Sequence, residues 1–203
     1  MAISNSARTR ISGAPDIYYA GPAAVLRDTG GLVFPVQPDI VYNQSVNYNQ
    51  YNLTHTNYTT HAYAGTPSPT IQITAQFSNV TRDEHLYTQG VIHFLRSVTK
   101  MFYGIQDTTT SPIAGTPPPK LRFFSFGSNQ FNNVPVFVGN VSIPYQSDTD
   151  LVEVVDANGK PQALPAVQTI ALDLLVSINP AKQKRDFSKH QFINGKLYGQ
   201  GFI

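Results

Sequence analysis

Polar and apolar residues alternate without a break through Thr70-Ile71-Gln72-Ile73-Thr74-Ala75-Gln76-Phe77. A period of two predicts a strand with Ile71, Ile73, Ala75 and Phe77 on a buried face and Thr70, Gln72, Thr74 and Gln76 on a polar one. Within a few residues the period changes. Tyr87, Val91, Phe94, Val98 and then Met101 or Phe102 fall on one stripe at helical spacing, which predicts an amphipathic helix over about 81–104. Thr81 and Glu84 stand in the positions of a capping box, each side chain able to bond the other's backbone N–H. Arg96 and Lys100 suit the negative end of the helix dipole, and Gly104 is the expected stop.

Strand patterns resume beyond a Gly115-Thr116-Pro117-Pro118-Pro119 punctuation, over Leu121–Phe126 and Val134–Tyr145. The second of these changes phase: Val134, Val136 and Val138 share one parity, whereas Val141, Ile143 and Tyr145 share the other. A bulge at Gly139-Asn140 follows from that shift. Leu151–Val155 and Val167–Ile178 flank a turn-rich connection and are expected to pair as a hairpin, with Ile170, Leu172, Leu174, Val176 and Ile178 buried. Upstream, Asp39–Thr54 reads as one or two strands or, because Asn and Gln are poor strand formers, as an irregular region, and Pro22–Leu26 as a single helical turn. The expected organisation is an extended N-terminal arm over 1–31, a β domain over 32–178 and a C-terminal tail over 179–203.

The chain has 203 residues, enough for one domain with a substantial core. Only 13% of residues are charged, against about 25% in ordinary soluble domains. A surface with so little charge is prone to associate, and points to a subunit covered by neighbours. Net charge is +2, without the global field of a dedicated nucleic-acid binder. Cysteine is absent, which excludes disulfides, thiolate metal sites and cysteine nucleophiles. No stretch approaches the roughly 20 apolar residues of a membrane span, and the N-terminal residues have no apolar core that would direct secretion.

Catalytic patterns are missing. His55, His61, His85, His93 and His190 form no i, i+4 pair beside a glutamate; His85 and His93 read as a helix-surface residue and a packed one, in that order. Glu84 and Glu153 are the only glutamates, and Glu84 has its capping position. Asp148 and Asp150 stand in a turn-like segment, where local hydrogen bonding explains them. The eleven tyrosines and twelve phenylalanines suit core packing first and a stacking platform for sugars or bases second. The polar face of Thr70, Gln72, Thr74 and Gln76 suits either open solvent or the lining of an aqueous channel.

Several segments together resemble one family: Gly31-Leu32-Val33-Phe34-Pro35; Thr54-His55-Thr56-Asn57-Tyr58; the strand from Ile71 to Phe77; His93-Phe94-Leu95-Arg96-Ser97-Val98-Thr99-Lys100-Met101; Gly115-Thr116-Pro117-Pro118-Pro119; and Asn133-Val134-Pro135-Val136. The chain resembles the baseplate tube-initiator proteins of contractile-tailed phages over most of residues 30–178 and the closing Gly199–Ile203. The resemblance implies a mainly β tail-tube fold, two packed sheets forming a barrel with one flanking α-helix, six copies closing a ring around a lumen. It implies no enzyme activity, no cofactor and no metal. Implied partners are further copies of the chain, hub and tail-tube proteins, a sheath initiator and a tape-measure protein, with DNA as passing cargo and no membrane. The implied location is the virion baseplate, after assembly in the host cytoplasm. In that setting Thr70, Gln72, Thr74 and Gln76 would border the lumen, and Phe34, Arg185, Phe192, Leu197, Phe202 and Ile203 would contact neighbouring subunits. Other readings are a bulk tail-tube subunit, the tube protein of a contractile injection system or, in a different class, a carbohydrate-binding β-domain of a tail fibre.

Overall fold

A computed structural model of the chain describes residues 7–103, 115–145, 147, 149–155 and 159–203. The alternating segment forms strand β6 (Thr70–Ser78), with Ile71, Ile73, Ala75 and Phe77 buried and the polar positions between them facing outward. It lies near one edge of a seven-stranded antiparallel sheet in the order β2-β1-β7-β8-β11-β6-β3. The other members are β1 (Arg10–Ser12), β2 (Gly31–Val33), β3 (Asp39–Asn43), β7 (Leu121–Ser125), β8 (Phe131–Ser142) and β11 (Val167–Val176). Two hairpins stand apart as separate two-stranded sheets: β4 (Asn47–Tyr51) with β5 (Thr60–Gly65), and β9 (Leu151–Val155) with β10 (Pro161–Pro165).

The fold is mainly β with one long helix, as the periodicities predict. The described residues form an open sheet with β2 and β3 at its edges, in place of the expected barrel of two packed sheets. Alternation determines which face a side chain takes but not which strand lies alongside. The hairpin expected between Leu151–Val155 and Val167–Ile178 is also absent: β9 pairs with β10, and β11 pairs with β6 and β8. The expected bulge is present. Asp173 faces Asn140 and Leu174 faces Val138, so Gly139 is the extra residue that returns Val141 to the buried side.

Helix α1 (Arg82–Val98) starts with the capping box between Thr81 and Glu84, both reciprocal bonds formed. It ends six residues before Gly104, which lies outside the described residues. Ser97 Oγ donates to His93 O at 2.8 Å and Thr99 Oγ1 to Arg96 O at 2.9 Å, satisfying carbonyls of the last turn. Val91, Phe94, Leu95 and Val98 are buried on the inner face of the sheet; of the two residues expected to close the stripe, Phe102 packs against the core and Met101 is exposed. Phe102 folds back edge-on to Tyr18.

The segment expected to be a free arm is part of the core. Ile11 is completely buried between β2 and β7, and Tyr18, Tyr19, Ala23 and Leu26 pack under α1 from two consecutive 3-10 turns, Asp16–Tyr19 and Gly21–Leu26. Tyr19 stacks on Phe94 with centroids 5.5 Å apart. Gly90 permits this approach: a Cβ there would lie 2.7 Å from Pro22 O and 2.6 Å from Val25 Cγ2. The strand β1 was hidden because three residues are too few to show a period. The C-terminal tail likewise folds, into α2 (Pro180–Asp186), α3 (Lys189–Ile193) and a 3-10 turn, Tyr198–Gln200. Leu197 and Phe202 are buried there, and Phe187 packs on both Phe192 and Phe202.

Removing residues 1–31 is therefore expected to prevent folding rather than only assembly. Ile11→Ala should lower stability by about 2–5 kcal/mol, as for a fully buried aliphatic side chain. Urea denaturation checks this, since a loss below about 0.5 kcal/mol would be that of a surface residue. Gly90→Ala should cost about 1–3 kcal/mol in the same assay by pushing the 3-10 turn off the helix.

Candidate assembly surfaces

One face of the large sheet carries the core; the other is open over β6 and is partly covered at the start of β8, where Gly201 lies against the buried Pro135. On the open face β6 presents Gln72, Thr74 and Gln76, all exposed, with Thr70 half-buried at the strand's start. Pairing sets Asp39, Val41 and Asn43 of β3 beside them on one side, and Thr169, Ala171, Asp173 and Leu175 of β11 on the other. Asn140 and Ser142 of β8 continue the surface. Side-chain hydrogen bonds tie neighbouring strands across it: Asn43 Nδ2 donates to Gln72 Oε1 at 3.3 Å and Asn140 Nδ2 to the Asp173 carboxylate Oδ2 at 3.1 Å. Across β6, β11 and β8 this face holds a single carboxylate, Asp173. Most of its side chains are neutral and polar, with Asp39 and Asp173 as its carboxylates and Val41 and Leu175 as its exposed apolar members.

The hairpins supply a second kind of surface. All of β4 is exposed, together with Leu53, Tyr58 and Tyr63; Tyr58 is 88% exposed. Tyr48 and Tyr63 meet edge to face across the hairpin at 6.2 Å. Such a two-stranded ribbon has little stability of its own in water. On the second hairpin Leu151 and Val155 are exposed.

The residues expected at subunit contacts divide into two groups. Phe34, Leu197 and Phe202 are covered by the chain itself, Phe34 against Phe77 and Phe202 against Phe187. They therefore hold the protomer together instead of offering surface. Arg185 is exposed and bound to Asp186 at 2.6 Å, while Phe192 and Ile203 are half-buried in the C-terminal layer. Sequence reasoning missed the exposed β4–β5 tyrosines; the Asn and Gln between them mask the strand pattern, although the near absence of charge from 43 to 66 was a signal.

Among the described residues no three His, Asp or Glu side chains lie close enough to hold a metal ion. Asp148 lies outside them. The two helix histidines are placed the other way round from the expectation: His93 is exposed on α1, and His85, on the side turned to the core, is fully buried with neither ring nitrogen hydrogen-bonded within the described residues. Burial lowers its pKa, because the imidazolium would lose its hydration without gaining a partner. Glu84 lies the other way: the Thr81 N–H holds its carboxyl below the usual value, with Ser78 Oγ adding a second bond. The chain matches no family model and no curated protein.

The folded state keeps His85 neutral, so its contribution to stability is complete above the ordinary histidine value of 6.5. It is lost as pH falls from there toward the lowered folded value, because the unfolded chain takes the proton first. Glu84 stays ionised until well below that window. Urea midpoints measured between pH 7.5 and 5 should fall for the wild type and fall less for His85→Leu; parallel curves would exclude His85 as the cause.

Proposed function

We propose that the chain is a structural virion protein of a phage tail baseplate. Six copies form a ring that joins the central hub to the tail tube and starts tube polymerisation. The observation that carries this reading is the run of neutral polar side chains, Gln72, Thr74, Gln76, Thr169, Asn140 and Ser142, on the outward side of β6, β11 and the end of β8, where Asp173 is the one charge. A ring that turns this face inward gives a water-filled lumen bordered by Gln72, Thr74 and Gln76, through which DNA and a tape-measure protein pass without adhering. The apolar side chains exposed on both hairpins supply the surface that neighbours cover. The segment likeness noted in the sequence supports the same reading, and the tail-tube form of the fold belongs to this proposal. The role is one of assembly without catalysis. Hub, tube and sheath-initiator proteins are its partners, in the virion baseplate after assembly in the host cytoplasm. A bulk tube subunit or an injection-system tube protein would share the ring but not the initiating role.

A second reading rests on the exposed Tyr48, Tyr51, Tyr58 and Tyr63, whose faces suit stacking against sugar rings, as in a tail-fibre carbohydrate-binding domain. Electron microscopy of the concentrated chain, alone and with a candidate tube subunit, separates the two. Six-fold rings, and tubes that grow only when this chain is present, are expected. A monomer in both samples, together with saturable binding on a glycan array, would establish the carbohydrate reading instead.

A further inference from the structure

Charge is unevenly placed along this weakly charged chain. Residues 179–203 carry Lys182, Lys184, Arg185, Lys189 and Lys196 against Asp186 alone, a net of +4, which leaves −2 for residues 1–178 of a chain whose total is +2. Four of the 12 acidic residues, Asp148, Asp150, Glu153 and Asp156, fall between 148 and 156 with no lysine or arginine among them.

The fold sets Asp150 and Glu153 of the acidic run at the opposite end of the same strands from the basic residues. β8 ends at Ser142 and β11 begins at Val167, so the β9–β10 hairpin that joins them sits at that end, held by Ala166 N–H on Asp150 O at 2.8 Å. β11 leaves the sheet at Val176, and the C-terminal layer folds against the start of β8. There Ser177 N–H bonds Pro135 O at 2.9 Å, and Gly201 lies against Asn133 and Pro135. Ten residues of extended chain span roughly 30 Å. The two ends are too far apart to meet within one molecule.

Each end mixes charge with apolar surface. On the C-terminal layer Lys184, Lys189 and Lys196 are exposed, and the only ion pair among the described residues is Arg185–Asp186. Ile193 beside them is 72% exposed and Phe187 41%. On the hairpin, Asp150 and Glu153 are exposed beside Leu151 at 68% and Val155 at 53%. Lys160 is the one cation of the hairpin. Cations with isoleucine and phenylalanine at one end complement carboxylates with leucine and valine at the other.

We infer that the acidic β9–β10 hairpin of one copy docks on the basic α2–α3 layer of the next, a head-to-tail contact between identical chains. Such a contact is heterologous, uses different patches on its two sides and leaves a free patch at each end, so it propagates as a stack. Opposite charges set its direction and steer encounter, and the apolar side chains supply the buried area. The inference rests on the reading of the chain as a ring-forming subunit and names what joins one layer of copies to the next.

The test reverses each patch separately. Asp150→Lys/Glu153→Lys and Lys184→Glu/Lys189→Glu change exposed side chains, and circular dichroism with urea midpoints should match the wild type. By sedimentation and electron microscopy, the wild type should form rings that lengthen into stacks, with stacking at least about tenfold weaker in 0.5 M salt than in 0.05 M. Each variant alone should form rings that do not stack, and a mixture of the two should stack again, because each reversed patch then meets its complement. Stacks unchanged in either variant, or no recovery on mixing, would overturn the contact while leaving the ring intact. Loss of stacking from the lysine reversal alone would assign the basic layer to a different anionic partner. A wild type that never leaves the monomer would remove both this contact and the assembly reading.

Discussion

One helix has to share the cover of a seven-stranded sheet, and the rest of the fold follows from that shortfall. Seventeen residues of α1 extend about 25 Å and are about 10 Å across, whereas seven strands spread over roughly 30 Å. The helix therefore hides only part of the apolar face formed by Ile71, Ile73, Phe77, Leu172, Leu174, Val134, Val136 and Phe123. The remainder is closed by chain with no long period of its own. The two 3-10 turns bring Tyr18, Tyr19, Ala23 and Leu26 under α1, and β1 inserts Ile11 between β2 and β7.

Side-chain hydrogen bonds complete the cover at its margin. Tyr87 Oη donates to Val33 O at 2.6 Å and accepts from Val33 N–H at 3.0 Å, so the helix meets both backbone groups of a residue on edge strand β2. That arrangement protects an edge that would otherwise be open to another strand. Thr9 and Ser125 share a buried hydroxyl contact at 2.6 Å, which fixes the approach to β1 against β7. The consequence for function is asymmetry: α1 and the 3-10 turns cover one side, and the opposite side of β6 and its neighbour β11 keeps Gln72, Thr74, Gln76 and Asp173 at its outward positions.

The helix and its face were legible because seventeen residues contain almost five turns, and the Thr81–Glu84 cap marks the start locally. β6 was legible for the same reason, with four full alternations. The bulge at Gly139 appeared as a change of parity, which a straight strand cannot accommodate when one face is buried. By contrast β1 has only three residues, and β5 and β10 have six and five and include Gly, Pro or Ala, so none of them shows a clear period. Phe34 and Leu197 were placed at subunit contacts because hydrophobicity in a Gly-rich or terminal segment does not say whether the cover comes from the same chain or from another.

The sequence by itself determined the local elements with a strong period, the side of each that is apolar, the scarcity of charge and the lack of thiol chemistry. These depend on near neighbours in the chain and on composition. Only the tertiary structure decided that β11 lies between β6 and β8, that the N-terminal segment closes the core, and that the acidic hairpin and basic C-terminal layer stand at opposite ends. Strand pairing and the cover of a sheet are contacts between residues tens to more than a hundred positions apart, such as Ile11 with Phe123, and no local pattern specifies such a partner.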